Sequence, residues 1–403
     1  MLPPVCKALG IKGSPTGGWM YSSLYRIQEN TPYNQYAVAT VWSRKDFKEI
    51  DIEGVKYYLL PQKIHLPYKY DNSLEIYWKQ IADAFQPDVI HVHGTEFPYG
   101  LAYVKANGSH GVLASIQGII SCYVRYYTAG IDSGDVKKYL TFRDFVKQDS
   151  ITQQQIKFKK RGELEIEFIQ SIDHFIGRTE WDKAHVKALN PTAEYHYCGE
   201  TLRTPFYSQK WSYNYCEPHS IFVSQAGYPI KGLHMLLKAM PLILREYPDA
   251  KINVAGNDII DVPFYRLTGY AKYLKILISE NSLDGKVFFT GLLDENAMCE
   301  RYLKSNVFVC PSSIENSPNS LGEAQLLGMP YVASFVGGVP EIVNWNPDVL
   351  YRFEEYEMLA EKICTIFDNK DKFMDTSDLT RYDGEQNSND LLQIYTDINQ
   401  ISH

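Results

Sequence analysis

The residues best placed to do chemistry crowd into one stretch, 308–341, which reads FVCPSSIENSPNSLGEAQLLGMPYVASFVGGVPE. An apolar strand, Val307 to Cys310, runs into a loop that carries Glu315, and Pro318 keeps a helix from passing through it. A helix then opens at Ser320 and closes before Gly328. A strand–loop–helix of this kind leaves unpaired amides at the helix N-terminus, at the carboxyl end of a parallel sheet. It is an anion site with a dipole worth about +0.5 elementary charge. Glu315 on the loop and Glu323 in the first helical turn are separated by seven residues, and carboxylates accept well from sugar and ribose hydroxyls. The same residues support a plainer reading. Ser320-Leu321-Gly322-Glu323 is also a capping box, in which Glu323 would bind backbone. Gly337-Gly338-Val339-Pro340-Glu341 is either a loop where backbone must approach a ligand or a tight turn with Pro at the start of a helix.

Other polar residues divide in the same way. His93 closes a buried strand beside Gly94 and is a candidate to face a cleft. His91 alternates with Ile90 and Val92 and reads as a hydrogen-bonded core histidine. Arg178 follows one strand and precedes a helix, which favours a site, although a salt bridge with Glu180 or Asp182 would explain it equally. Asp258 and Asp261 read as a solvated loop. The sequence has no Walker A loop, no GxGxxG after a strand, no HExxH, no GxSxG and no kinase signature.

The elements that must position these residues are short strands alternating with helices. Strand-like runs are Tyr36 to Trp42, Val55 to Leu60, Asp88 to Val92, Gly111 to Ile116, Asp173 to Gly177, Glu194 to Tyr197, Ser220 to Ser224, Ala250 to Ala255, Lys286 to Thr290, Val307 to Cys310 and Tyr331 to Ser334. Apolar residues at helical spacing mark Ser73 to Phe85, stopped by Pro87. Strands separated by helices of about a dozen residues imply parallel sheets in βαβ units. The register restarts near residue 218, so an α/β fold of two Rossmann-like αβα domains facing a central cleft is expected. Its parts are residues 1–216, residues 217–385, and a last helical stretch, 386–403, that packs back on the N-terminal domain.

The segment 308–341 resembles the Glu-x7-Glu signature of retaining glycosyltransferases with the GT-B fold, specifically glycosyltransferase family 4. The likeness rests on Glu315 and Glu323, Pro311-Ser312-Ser313, Gly328-Met329-Pro330 and Gly337-Gly338…Pro340-Glu341. It extends back through Phe289-Thr290-Gly291, Lys231-Gly232 and Asp88-Val89-Ile90-His91-Val92-His93-Gly94 to Gly17-Gly18, nearly the whole chain. The resemblance implies that Lys231 neutralises a donor diphosphate, that Glu315 contacts the donor sugar and that Glu323 holds the ribose. Backbone from Asn316 through Ser317, Pro318, Asn319 and Ser320 to Leu321 would hold sugar and phosphates. Gly291 and Leu292 would border the nucleobase, and Gly17 and Gly18 would admit phosphate and acceptor. Lys231, Glu315 and His93 are the candidate catalytic residues, with Arg178 among the donor-binding ones.

The chain departs from the family in three places. Ala226 stands where an Arg is usual, with Arg178 and Arg203 as candidate replacements. Gln117 stands where a His is usual and cannot titrate. No apolar strand precedes Gly10 to Gly18, which leaves open a start upstream.

The implied reaction is metal-independent, retaining transfer of a hexose-like sugar from a nucleoside-diphosphate sugar to a glycan or lipid-linked acceptor, as in bacterial surface polysaccharide biosynthesis. No cofactor beyond the donor is expected. The alternatives are a GT-B nucleotide-sugar 2-epimerase, a phosphorolytic enzyme, or a non-catalytic nucleotide- or glycan-binding scaffold.

Composition agrees with an enzyme of this kind. The 403 residues are 45% hydrophobic and 22% charged, with net charge −8, which disfavours nucleic-acid binding through a basic surface. Residues 1–216 hold 25 Lys and Arg against 22 Asp and Glu, so the acidity lies in the second half. Within 137–161 eight bases interleave with Tyr and Phe against only Asp144 and Asp149, a pattern suited to peripheral contact with an anionic membrane. Seven scattered cysteines without CxxC spacing imply reduced thiols. With no basic, apolar leader, a cytoplasmic location is expected, at the inner face of the membrane.

Overall fold

The structure is a computed structural model that describes residues 2–11, 18–42, 44, 46–369 and 378–401. The chain divides into two compact units: Met1–Cys122 with Lys157–Leu202 and Thr380–His403, and Tyr123–Ile156 with Arg203–Leu379. Gly17 lies outside the described residues.

Among the described residues, the first unit holds seven strands: β1 (Tyr36–Trp42), β2 (Lys48–Ile52), β3 (Val55–Pro61), β4 (Ile90–His93), β5 (Val112–Ser115), β6 (His174–Gly177) and β7 (Glu194–Tyr197). Strands β4 to β7 form a parallel sheet in sequence order. Its two faces are covered differently because side chains alternate along each strand. Val112, Ala114 and Phe175 pack with Leu101, Phe168 and Ile172 on one face. Leu113 and Ile176 pack on the other with Leu391, Ile394 and Ile398 of the helix Gly384–Ile401. A separate sheet has the order β1-β3-β2. There β1 runs parallel to β3, but β2, in a stretch the sequence reading left unassigned, runs antiparallel to it. Residues Pro3–Ala8 form a helix.

The second unit is a six-stranded parallel sheet built from β8 (Ser220–Val223), β9 (Lys251–Val254), β10 (Val287–Phe289), β11 (Val307–Cys310), β12 (Tyr331–Ser334) and β13 (Leu350–Tyr351). The order is β10-β9-β8-β11-β12-β13. Every residue of β8, β11 and β12 is buried, because helices cover both faces of such a sheet and its central strands become continuous apolar runs.

Segment Tyr123–Ile156 belongs to this second unit, although it lies within residues 1–216. It is tied there by Ser313 Oγ, 3.1 Å from the Tyr126 carbonyl, and by His234 Nε2, 2.8 Å from the Ala129 carbonyl. The basic segment 137–161 is therefore split: Lys157, Lys159, Lys160 and Arg161 lie in the first unit.

Candidate active site

Two loops at the carboxyl ends of β8 and β11 bring Lys231 and Glu315 together. After β8 the chain makes a 3-10 turn, Pro229–Lys231, whose Ile230 carbonyl accepts from the Ser313 amide at 2.8 Å. Gly232 follows with φ 70°, and a Cβ there would collide with the Pro311 carbonyl, so only glycine lets the two loops touch. Lys231 Nζ then lies 2.6 Å from Glu315 Oε1, which also accepts from Ser312 Oγ at 2.8 Å. Gly337 is built the same way: φ is 53°, and a Cβ would strike the Glu315 carbonyl, which accepts from the Gly338 amide at 3.1 Å. The glycine pair thus packs backbone against the loop that carries Glu315. Burial alone would lower the Lys231 pKa, but the adjacent Glu315 carboxylate outweighs it, so Lys231 is held above the ordinary lysine range.

Glu323 has a cation of its own. Arg203 donates from Nε to Glu323 Oε1 and from Nη2 to Oε2, each at 2.6 Å, a bidentate fork. The helix spans Asn319–Leu327 with Pro318 as its N-cap and no capping side chain, so the capping-box reading of Ser320 and Glu323 does not hold. Ser320 lies inside the helix, where its hydroxyl cannot cap. Burial raises the Glu323 pKa, and the Arg203 pairing opposes that rise. Tyr302 adds a further side-chain hydrogen bond to this buried carboxylate. The helix ends at Gly328 with φ 68°.

The other expected donor residues of this unit lie on neighbouring loops. Asn316 is buried, and the Leu321 amide is already bonded to the Pro318 carbonyl at 2.9 Å, which narrows the set of amides left for a ligand. Gly291, with φ 76°, pairs with Gly256 through two backbone hydrogen bonds at the ends of β9 and β10, and Leu292 beside it is exposed. Ala226, at the place of the missing Arg, is buried. Asp258 turns its carboxylate on the amides of Ile260 and Asp261, as a loop residue does.

In the first unit, Gly18 opens the helix Gly18–Asn30. His91 is bonded on both ring nitrogens, to Tyr395 OH at 2.6 Å and Ser115 Oγ at 2.5 Å. His93, at the end of β4, is exposed and stacks 4.0 Å from the His91 ring. Arg178 is buried and pairs with Glu200, not with Glu180 or Asp182; only its backbone amide reaches Asp182, at 3.0 Å. His91, His93 and Arg178 line a small pocket with Ser115 and Gln117. In it Gln117 Nε2 and Glu200 Oε1 are buried without a hydrogen-bond partner among the described residues.

Glu96, which no motif marks, is the titratable group that sequence reasoning missed. It follows β4 by three residues and folds back over Gly94, where a Cβ would collide with its carboxylate. Burial, helped by Glu165 and opposed by Arg161 and Arg178, pushes its pKa up to about 7. Position at a strand end was the only available signal.

One cluster of the described residues has the geometry of a metal site. His174 Nδ1 lies 3.2 Å from His196 Nε2 and 3.6 Å from Glu194 Oε2; His174 and Glu194 open β6 and β7, at the ends opposite those that carry His93 and Arg178.

Two α/β units with parallel sheets, the second carrying paired acids and cations at its strand ends, make up the GT-B fold of glycosyltransferases. Residues 206–381 match the family model described as glycosyl transferases group 1; the Lys231–Glu315 pair and Glu323 lie within that match, while Arg203 and the Arg178–Glu200 pair lie outside it. Spore coat protein SA of Bacillus subtilis (strain 168) is 27% identical over 175 residues, 41% of this chain and 45% of that protein. The chain spans less than half the length of the curated relatives it matches. Among solved structures, sucrose-phosphate synthase from Thermosynechococcus elongatus superposes with TM-score 0.61 at 17% identity, covering 94% of this chain and 90% of that one. Anabaena HepE in complex with UDP-glucose superposes with TM-score 0.60 at 14% identity, covering 97% and 96%.

Proposed function

We propose that the protein is a retaining, metal-independent glycosyltransferase of family 4 that uses a nucleoside-diphosphate sugar. The observation that carries this reading is the buried Lys231–Glu315 pair at 2.6 Å beside the N-terminus of helix Asn319–Leu327. An ammonium and a helix N-terminus at one strand end suit a diphosphate leaving group. Glu315 and Glu323 suit sugar and ribose hydroxyls. HepE, a protein of the same fold, has been captured with UDP-glucose.

Neither carboxylate serves as a nucleophile in this scheme. The acceptor oxygen attacks the anomeric carbon on the face from which the diphosphate departs. The bond from that carbon to the phosphate oxygen breaks, and the acceptor proton passes to the departing diphosphate. Lys231 offsets the charge that grows there. In the first unit, His93 is kept as a candidate catalytic residue and Arg178 as a candidate donor ligand. The acceptor is a glycan or lipid-linked glycan of bacterial surface polysaccharide assembly, met at the cytoplasmic face of a membrane through residues 137–161.

Calorimetric titration with UDP, GDP, ADP and dTDP, followed by their sugars, tests the reading. One nucleoside diphosphate should bind, and Lys231→Met should abolish that binding. Absence of binding by all four would favour a scaffold. Conversion of the sugar without an acceptor would favour an epimerase.

A further inference from the structure

The segment Tyr139–Lys147 is anchored from beneath. Tyr139 is buried against the Tyr273 ring, with centroids 5.5 Å apart. Asp144 is buried too: it closes a capping box with Thr141 and faces the N-terminus of helix Gly269–Glu280. Lys272 Nζ holds the Leu140 carbonyl at 3.3 Å. With the polar and hydrogen-bonding residues turned inward, large apolar ones are left outside. Phe142 is 61% exposed, Phe145 77% and Val146 56%.

A distant loop enlarges this surface. Phe264 is 72% exposed, its ring 6.2 Å from that of Phe142, and Tyr265 is exposed beside it. Solitary exposed apolar residues are ordinary, but aromatic side chains from two segments forming one face mark an interaction surface. Lys137, Lys138, Lys147 and Arg266 are exposed on the same segments, while Arg143 is engaged with Asp149. Asp261, upstream of Phe264, is the nearest exposed acid along that loop.

We infer that this face, in the unit that carries Lys231 and Glu315, docks on an anionic lipid bilayer. The aromatic rings enter the boundary between headgroups and acyl chains, and the lysines and Arg266 meet the phosphates. This rests on the proposed membrane reading and changes it. The contact is made by residues 137–147 with 264–266, so the unit proposed to hold the nucleotide-sugar is the one fixed to the membrane, and Lys157 to Arg161 are not required.

Co-sedimentation of the full chain with vesicles of equimolar phosphatidylcholine and phosphatidylglycerol tests this, alongside pure phosphatidylcholine. The wild type should bind the anionic vesicles at least about tenfold more tightly than the neutral ones. The Phe142→Ser/Phe145→Ser variant should lose that binding while keeping its melting temperature and nucleotide affinity. Tyr33→Ser, which removes an exposed ring from the first unit, should change nothing. Failure of the wild type to bind, or equal binding by the double variant, overturns the inference. So does a wild type that ignores vesicles but self-associates through these rings by light scattering. Vesicle binding needs no nucleotide, so Lys231→Met should still sediment; a wild type that sediments but binds none of the four nucleoside diphosphates would sink the enzyme reading alone.

Discussion

Replacing Lys231 by Met keeps most of the side-chain volume and removes the charge that Glu315 faces. Across 2.6 Å, with an effective dielectric of about 20, the pair attracts by about 6 kcal/mol before the cost of taking both ions from water is set against it. Side-chain exposure of 18% for Lys231 and 10% for Glu315 puts the pair in the buried class. Breaking such a pair from one side costs about 3–5 kcal/mol, because the other charge is left without a partner. Glu315→Gln should cost a similar amount, although Ser312 can still donate to the new amide oxygen. The double variant Lys231→Met/Glu315→Gln removes both ions and should lie within about 2 kcal/mol of wild type. Urea denaturation of the four proteins measures the coupling directly. Single costs that add to within about 0.5 kcal/mol of the double would show that the two side chains do not interact, and the site as described would fail. Nucleotide titration of the same set separates stability from function. Glu315→Gln leaves the ammonium to the diphosphate and should keep nucleotide affinity, whereas Lys231→Met should lose it.

Three further outcomes are expected. Gly232→Ala should lower stability by about 1–3 kcal/mol, since it sets an L-residue at φ 70° against the Pro311 carbonyl. Gly227→Ala, in open space, should be neutral in the same melts, and equal effects would dismiss the steric argument. Arg203→Ala should cost about 3–5 kcal/mol by leaving Glu323 buried and unpaired, and Arg203→Ala/Glu323→Gln should recover much of it; no recovery in urea melts would mean that the guanidinium acts elsewhere. Glu96 sets a pH dependence. Its carboxyl keeps a proton in the folded chain up to about pH 7, whereas the unfolded chain releases it near 4.5. Stability from this group is therefore full below pH 4.5 and lost as pH rises through 7, by at most about 3 kcal/mol. Glu96→Gln should match wild type at pH 4 and exceed it at pH 8, and an offset that does not vary with pH in denaturation series would refute the assignment.

What could be read from the sequence followed from burial. The strands Val307–Cys310 and Tyr331–Ser334 are apolar runs because both faces of their sheet are covered, and their limits match the expectation. The segment Lys48–Ile52 shows no strand signal because an antiparallel edge strand with one wet face reads KEIDI, three of whose five residues are charged. Leu350–Tyr351 is too short to show a period. The last helix begins at Gly384, two residues before the expected stretch 386–403. In the site, the Lys231-Gly232 and Glu-x7-Glu spacings were visible as a resemblance, and each belongs to one local loop. Glu323 also fitted a capping box, and nothing local could decide that case, since its partner Arg203 lies 120 residues away.

That distance bears on how the site works. Each acid of the strand–loop–helix is closed on a cation from another segment: Glu315 on Lys231 and Glu323 on Arg203. Pairing gives each buried carboxylate a countercharge in a place where an isolated charge would be costly. It also means that these four ions contribute no net charge before a ligand arrives. A diphosphate would therefore be attracted by the amide dipoles of the helix N-terminus and by those Lys231 N–H groups not given to Glu315, not by a surplus of basic residues. A binding site for an anion can thus lie in the more acidic half of the chain, where composition alone would not look for it.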